Sequence, residues 1–351
     1  MNKKIHLLML CYLLFSSYYG MAQKSGFETV RIISYNLENL FDCQDDSLTA
    51  DDSFTPQGEH QWTENKYWIK INNLSRAITA AGEWDIPILI GLCEVENAKV
   101  INDLFYRTQL KEWKYQFVHK DSPDPRGVDV ALAYLPQKFQ LIHEEFIPVH
   151  IESGKATRDI LYARGIISNQ DTLHIFVNHW SSRYGGELES EEKRITAAET
   201  LREKTDSLLT CNNHCKIIIM GDFNDYPDSK SINDGLCAIS PQKNSIFDQL
   251  YNLSYSIHKD GMYGSHKFGG QWGMLDQMIV SGALLDSEST CFVESNSVNI
   301  CQTEFLLKKD ATGTAPKRSF LGTFFAYGYS DHLPISINLI IKDTNIYEHN
   351  K

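Results

Sequence analysis

The sequence is short of basic residues. Thirty-three Lys and Arg stand against 45 Asp and Glu in 351 residues, a net charge of −12 at pH 7, so the overall balance attracts neither a phosphate backbone nor an anionic lipid surface. Any dealing with polyanions has to be local, through a metal or a small basic cluster. Proline is scarce too, with ten residues beside 21 glycines, which excludes collagen-like and low-complexity chains. Internal repeats and Pro/Ser-rich linkers are absent, so a single domain is expected although the length would permit two. What is present, 42% hydrophobic and 22% charged residues, describes an ordinary globular chain rather than a disordered or polytopic membrane one.

The N-terminus is the exception to that average. Lys3 and Lys4 precede an apolar stretch from Ile5 to Phe15, and a small-residue finish follows at Gly20-Met21-Ala22. This layout reads as a secretory signal peptide (residues 1–22) cleaved near Ala22, too short and too soon polar for a spanning helix. Cys11 follows the bulky Leu10, an unsuitable setting for lipidation. Losing 22 residues and two lysines leaves 329 residues at net charge −14. A secreted or periplasmic acidic protein, monomeric and without stable membrane insertion, is expected.

Seven cysteines remain, an odd number and few for a disulfide-built scaffold. Cys211-Asn-Asn-His214-Cys215 has only half of what a closed zinc site needs. A local disulfide there, or one to Cys237, is the expectation. Residues 42–52 contain five aspartates, but their spacing fits no calcium loop with an obligatory glycine and terminal glutamate. They are read as a solvated surface loop.

Strand-like apolar runs recur at Val30–Tyr35, Ile86–Leu92, Val128–Leu135, Phe139–Val149, Ile160–Ser168, Leu173–His179, Lys216–Gly221, Leu275–Ser281 and Ile335–Ile341. Several are continuously apolar, as strands covered on both faces should be. Helical spacing appears at Tyr67–Ala81, with Trp68, Ile71, Leu74 and Ile78 on one stripe, at Asn97–Leu104, and from about Leu188 to Leu209. Many strands with about three helices imply an α+β domain of packed sheets with helices outside.

Polar residues cluster at the ends of those strands, where a rigid scaffold presents catalytic groups. Asn36 and Glu38 share a face by period two. Glu94 follows an apolar run closely enough to be half-buried, and such a carboxylate needs a cation or donors; Asn97 is assigned to capping the next helix. His179 leads into a Gly185-Gly186 loop that permits close approach of a substrate. After Gly221, Asp222 and Asn224 offer an acceptor and a donor side by side, able to orient a water and hold a phosphoryl oxygen. Asp276 heads a strand and His332 lies beside Asp331; a buried aspartate facing a histidine fixes its tautomer and raises its basicity. Glu38, Glu94, Asp222, Asp276 and Asp331 would repel one another if gathered dry, and oxygen ligands suit Mg²⁺ or Mn²⁺ rather than zinc. No G-x-S-x-G elbow points to an acyl-enzyme.

The series S-Y-N-L-E, G-L-C-E-V-E-N, R-G-V-D-V-A-L-A-Y, N-H-W-S-S-R-x-G-G, G-D-F-N-D, L-D-Q and S-D-H-L-P, in this order from about Val30 to Ile341, resembles the endonuclease/exonuclease/phosphatase family, which is related to deoxyribonuclease I. The resemblance implies a four-layer α/β/β/α sandwich of two packed mixed sheets whose loop ends meet at one cleft. It matches Asn36, Glu38 and Glu94 to the metal side, Asp331 to a further acidic ligand, Asp222 with Asn224 to the water-orienting pair, Asp276 with His332 to the carboxylate-histidine pair, and His179 to the second histidine. Two histidines resemble the deoxyribonuclease and sphingomyelinase branches, since the abasic-site repair branch has asparagine at the first. Cys93 departs from the glutamine common in the family at that place.

The expected function is a secreted, Mg²⁺- or Mn²⁺-dependent phosphodiester hydrolase acting by in-line attack of water, an endonuclease on DNA or RNA. Its alternatives are a phosphatase or a phospholipid or inositol-phosphate phosphodiesterase on the same scaffold and, more distantly, a catalytically inactive binding protein. Glu38, Glu94 and Asp331 are the expected metal ligands, His179, Asp222, Asn224, Asp276 and His332 the catalytic groups, and Asn36, Arg126 and Arg183 substrate contacts. Arg158 and Lys317-Arg318 are further candidates for gripping phosphate. Trp180, Tyr184, Trp272 and Phe325 are candidates for base stacking, with core burial as the ordinary alternative.

Overall fold

The computed structural model of the protein describes residues 26–342 except 153, 155, 184 and 185. The expected signal segment, Tyr184 and Gly185 thus lie outside the described residues. Among the described residues no helix is long and apolar enough to cross a membrane.

In chain order the strands are β1 (Phe27–Leu40), β2 (Leu89–Val95), β3 (Gln116–His119), β4 (Asp129–Tyr134), β5 (Phe139–Ile147), β6 (Ile160–Ile167), β7 (Thr172–His179), β8 (Lys216–Asp222), β9 (Ala238–Ile239), β10 (Leu250–Asn252), β11 (His266–Phe268), β12 (Gln271–Gly273), β13 (Asp276–Ser281), β14 (Cys291–Val293), β15 (Asn299–Ile300), β16 (Leu307–Asp310), β17 (Gly313–Pro316), β18 (Phe320–Leu321), β19 (Phe324–Phe325) and β20 (Ile335–Lys342). The α-helices are α1 (Glu64–Gly82), α2 (Ala98–Tyr106), α3 (Glu187–Cys211) and α4 (Tyr255–Asp260). One sheet runs β14-β20-β1-β2-β4-β3 with β15 also on β20, the other β5-β6-β7-β8-β13-β10-β9, and the remaining strands form three hairpins. Every apolar run read from the sequence is a strand of one of the two sheets. Both sheets are mixed: β1 with β2 and β7 with β8 are parallel, whereas β20 and β13 return antiparallel.

The continuous apolar run of β8 is explained by its two faces. Ile218 and Met220 pack in the core between the sheets, while Ile217 and Ile219 pack with Ala197, Ala198 and Leu201 of α3. On the other side Ile71, Leu74 and Ile78 of α1 and Val100, Ile101 and Leu104 of α2 belong to the large core that contains β1 and β2. The order is therefore helix, sheet, sheet, helix, and each layer boundary is apolar. Asn97 caps α2 as expected, its Oδ1 accepting from Lys99 N at 2.9 Å and Val100 N at 3.1 Å.

Two loop expectations need correcting. Cys211, Cys215 and Cys237 are free thiols: Cys215 Sγ lies 3.4 Å from His174 Nε2 and Cys237 Sγ meets Asp234 O, each occupied locally rather than bridged. The 42–52 stretch is not simply solvated either, because Asp42 and Asp51 are buried.

Candidate phosphoester-hydrolysis site

Parallel pairing brings the ends of β1, β2, β7 and β8 together, and β13 and the segment before β20 start at the same edge. In the second sheet His179, Asp222 and Asp276 are direct neighbours on three adjacent strands. Across the gap between the sheets Asn36 Nδ2 donates to Asp222 Oδ2 at 3.0 Å. The backbone here departs from ordinary strand geometry: Glu38, Asn39, Glu94 and Asn224 all have positive φ, between 49° and 61°. Such conformations are costly for residues with a side chain and concentrate where they aim functional groups.

Asp222 is the hub. Its Oδ1 accepts from Asn224 N at 2.8 Å, and its Oδ2 faces His332 Nε2 at 3.7 Å and His179 Nε2 at 3.9 Å. Burial pushes its carboxyl up to about 6, against the opposing charge of His332. His332 Nδ1 is 2.6 Å from Asp276 Oδ2, which leaves Nε2 toward the cleft. Burial alone would lower His332, but Asp276, Asp222 and Asp331 outweigh it and hold the imidazolium well above its usual range. His179 is held well below that range by burial and by Arg158, Arg126 and His332. The two imidazoles are thus pushed in opposite directions, His332 toward its protonated form and His179 toward its neutral one. Asn224 Nδ2 donates to Trp180 O at 3.0 Å.

The three expected metal carboxylates differ. Glu94 Oε2 accepts from Asn39 N at 2.7 Å, while Oε1 lies 3.5 Å from His179 Nε2 without a donor among the described residues. Asp331 accepts from Arg318 at 3.0 Å through Oδ2, and His332, His266, Arg318 and Lys70 lower its pKa against the effect of burial. Both residues keep an oxygen for a hard cation. Glu38 does not: its carboxylate accepts from Ser319 N, from Phe320 N at 3.2 Å and from Arg318 Nε at 3.3 Å. Burial pushes it up to about 7, Asp331 adds to the rise, and Lys70 opposes it. Glu38 is a brace for the 318–320 segment.

The basic residues also part company. Arg126 is half-exposed, beside Asp124. Arg158, expected at phosphate, is buried instead and donates to His179 O at 2.9 Å, Trp180 O at 2.6 Å and Asp124. Arg183 Nε donates to Asn224 O at 3.0 Å and its NH2 to Asp225, so it shapes the Asp222–Asn224 turn. Lys317 lies over the Tyr329 ring, and Arg318 spans Glu38 and Asp331. Trp180 and Phe325 are core residues, and Trp272 is half-buried.

Sequence reasoning missed three residues. His266 pairs with His332 as a β-bridge, ring centroids 4.7 Å apart, and their donor atoms lie with Asp331's within 4.8 Å. Burial, and then His332, push its pKa down to about 4. Lys70, wholly buried in α1, donates to Glu38 O at 2.6 Å and Ser319 Oγ at 2.9 Å. Ser330 Oγ donates to Asn36 O at 2.7 Å. Lys70 is marked only by a cation next to an apolar stripe, and the two others by nothing beyond neighbouring polar residues.

The family model for the endonuclease/exonuclease/phosphatase family matches residues 31–341. The chain belongs to that family. It is accordingly an enzyme of phosphoester hydrolysis, in a family that depends on divalent metals. No curated protein matches it. Among solved structures it is similar to a humanised D. rerio TDP2, at 12% identity and TM-score 0.54 over 89% of this chain and 98% of that one. The human Nocturnin catalytic domain with bound sulfate anion aligns at 17% identity and TM-score 0.52, covering 89% and 96%. A D. rerio TDP2 complexed with single strand DNA product aligns at 13% and 0.52, covering 89% and 99%. At these identities the structures establish the shared fold of this family member.

Proposed function

We propose that this family member is a secreted phosphodiesterase that cleaves nucleic acid, with Mg²⁺ or Mn²⁺ as its cation. The observation that carries the reading is the Asn36–Asp222 bond across the sheets, facing a His332 that is fixed by Asp276. Glu94 and Asp331 would hold the cation, since each keeps an oxygen for it, and the bound ion supplies charge stabilisation at the phosphoryl oxygens. Asp222, oriented by Asn36 and the Asn224 amide, positions water for in-line attack and takes its proton. The His332 imidazolium, held by Asp276, adds positive charge beside the reacting phosphate. His179, Asn224 and Arg126 contact non-bridging oxygens, and Arg183 keeps Asn224 in place.

Nucleic acid is favoured as substrate by the single strand DNA product in the similarly folded TDP2. The basic start, apolar stretch and small-residue finish of residues 1–22 support the secreted reading. Asp222→Ala and His332→Ala are each expected to lower kcat/KM for single-stranded DNA with Mg²⁺ by at least ~10²-fold, the scale of a lost general base or charge stabiliser, with the fold retained by circular dichroism. Undiminished turnover in either variant overturns the mechanism. A parallel assay with RNA, bis-nitrophenyl phosphate and sphingomyelin tests the substrate class: activity confined to sphingomyelin overturns the nuclease reading and leaves the hydrolase.

A further inference from the structure

The first sheet ends on the β3–β4 hairpin, whose 120–128 loop carries Arg126. In that hairpin His119 lies opposite Ala131. Side chains alternate between the faces of a strand, and opposed residues share a face. Asp129, two residues before Ala131, therefore stands on the His119 face, and Asp121, two residues beyond His119, continues it. One donor atom from each of the three lies within 4.8 Å of the other two. The His119 and Asp129 side chains are each 3% exposed, whereas that of Asp121 is 83% exposed. Ser122 donates to Asp129 Oδ1 from its backbone N at 2.9 Å and from its hydroxyl. Asp129 Oδ2 is left facing His119 Nε2 at 3.3 Å, and that nitrogen is buried without a hydrogen-bond partner. Asp121 Oδ1 is 3.9 Å from Nδ1 of the same ring. Among the described residues neither aspartate pairs with a lysine or arginine, and the intervening Lys120 goes instead to Asp159 at 3.1 Å.

We propose that His119, Asp121 and Asp129 bind a zinc ion, at a site separate from the cation assigned to Glu94 and Asp331. The spacing favours a metal over a direct contact. An imidazole that donates to a carboxylate in a charge-assisted bond closes to about 2.7–2.9 Å, and a buried nitrogen left without a partner is costly. Two ligands on a tetrahedral zinc, with bonds of roughly 2.0–2.2 Å, stand roughly 3.3–3.5 Å apart, which the gap from Nε2 to Oδ2 matches. One imidazole with two carboxylates suits zinc better than magnesium or calcium, whose ligands are oxygens. Rotation of the exposed Asp121 side chain brings its carboxylate from Nδ1 onto the ion, and water fills the remaining position. The ion cross-links β3 to β4 at the base of the 120–128 loop and so steadies the turn that carries Arg126.

The test uses the full chain, stripped with a chelator and titrated with ZnCl₂ by calorimetry in excess Mg²⁺, which occupies the phosphoester site. A single zinc per chain is expected in the wild type, in Glu94→Gln and in Cys215→Ser. Asp121→Asn and His119→Gln are each expected to bind at least ~10-fold more weakly, a loss that even an outer-sphere partner can cause. Asp121 is exposed, so Asp121→Asn retains the fold and decides the matter if His119→Gln does not. Failure of the wild type to bind zinc stoichiometrically overturns the proposal, as does undiminished affinity in either of these two variants. Binding that Glu94→Gln abolishes assigns the ion to the phosphoester site, and binding that Cys215→Ser abolishes assigns it to the thiol beside His174; either result also overturns it.

Discussion

Arg158 and Arg126 flank the same histidine yet do opposite work. Arg158 spends its donors on the His179 and Trp180 carbonyls and on Asp124, wholly inside the protein. Arg126 has a side chain 46% exposed and only a loose contact with Asp124 at 3.5 Å. Removing one partner of a buried charged network costs about 3–5 kcal/mol, because the other charge stays buried and unpaired. Arg158→Ala is therefore expected to lower stability on that scale in urea unfolding, whereas Arg126→Ala leaves the midpoint in place and raises KM several-fold. The reverse pattern would mean that the roles are exchanged. No local sequence feature separates the two arginines, since what divides them is which acceptors the fold brings within reach. The same holds for Glu38 and Glu94: both end apolar strands, but Ser319, Phe320 and Arg318 claim the carboxylate of the first and leave one oxygen of the second.

At the scale of elements, the central strands were legible because a strand covered on both faces must be apolar throughout, and β8 with Ile217, Ile218, Ile219 and Met220 meets that demand plainly. The short β3 and the three hairpins were not, since strands of two to four residues carry too little alternation to be read from the sequence. His266 was lost with them, for its place depends on the β11 bridge to His332. The end of β8 also shows how an element aims a site. Gly221 has φ of +137°, and a Cβ there would stand 1.9 Å from Asn178 O on β7, so only glycine lets the two parallel strands close before Asp222. Gly221→Ala forces the strands apart or strains the backbone, and the penalty is expected to exceed ~2 kcal/mol, above the ordinary cost of one strained residue. Because the distortion falls next to Asp222, kcat is expected to drop with stability, and an alanine variant with wild-type Tm and turnover would contradict this account.

For the whole molecule, the acidic balance sets how a polyanionic substrate is met. Affinity for nucleic acid depends on salt in proportion to the number of phosphates that the protein neutralises. Around the phosphoester site Lys70 and Arg158 are buried, and Arg183 is tied to Asn224 and Asp225. Among the described residues, Arg126 and Arg318, with side chains 46% and 42% exposed, remain to meet phosphate, and Arg318 is shared with Glu38 and Asp331. Two neutralised phosphates give a slope of log K against log salt of about −1.4 for a single strand and about −1.8 for a duplex, or roughly a tenfold weaker interaction between 50 and 200 mM salt. The net charge of −12 supplies no further attraction at long range, so association gains little from steering. KM for a single-stranded oligonucleotide, measured across that range at fixed Mg²⁺, is therefore expected to rise by about tenfold. A rise of a thousandfold would require six or more phosphate contacts and with them an extended basic track, and would refute the picture of a substrate gripped only at the scissile phosphate.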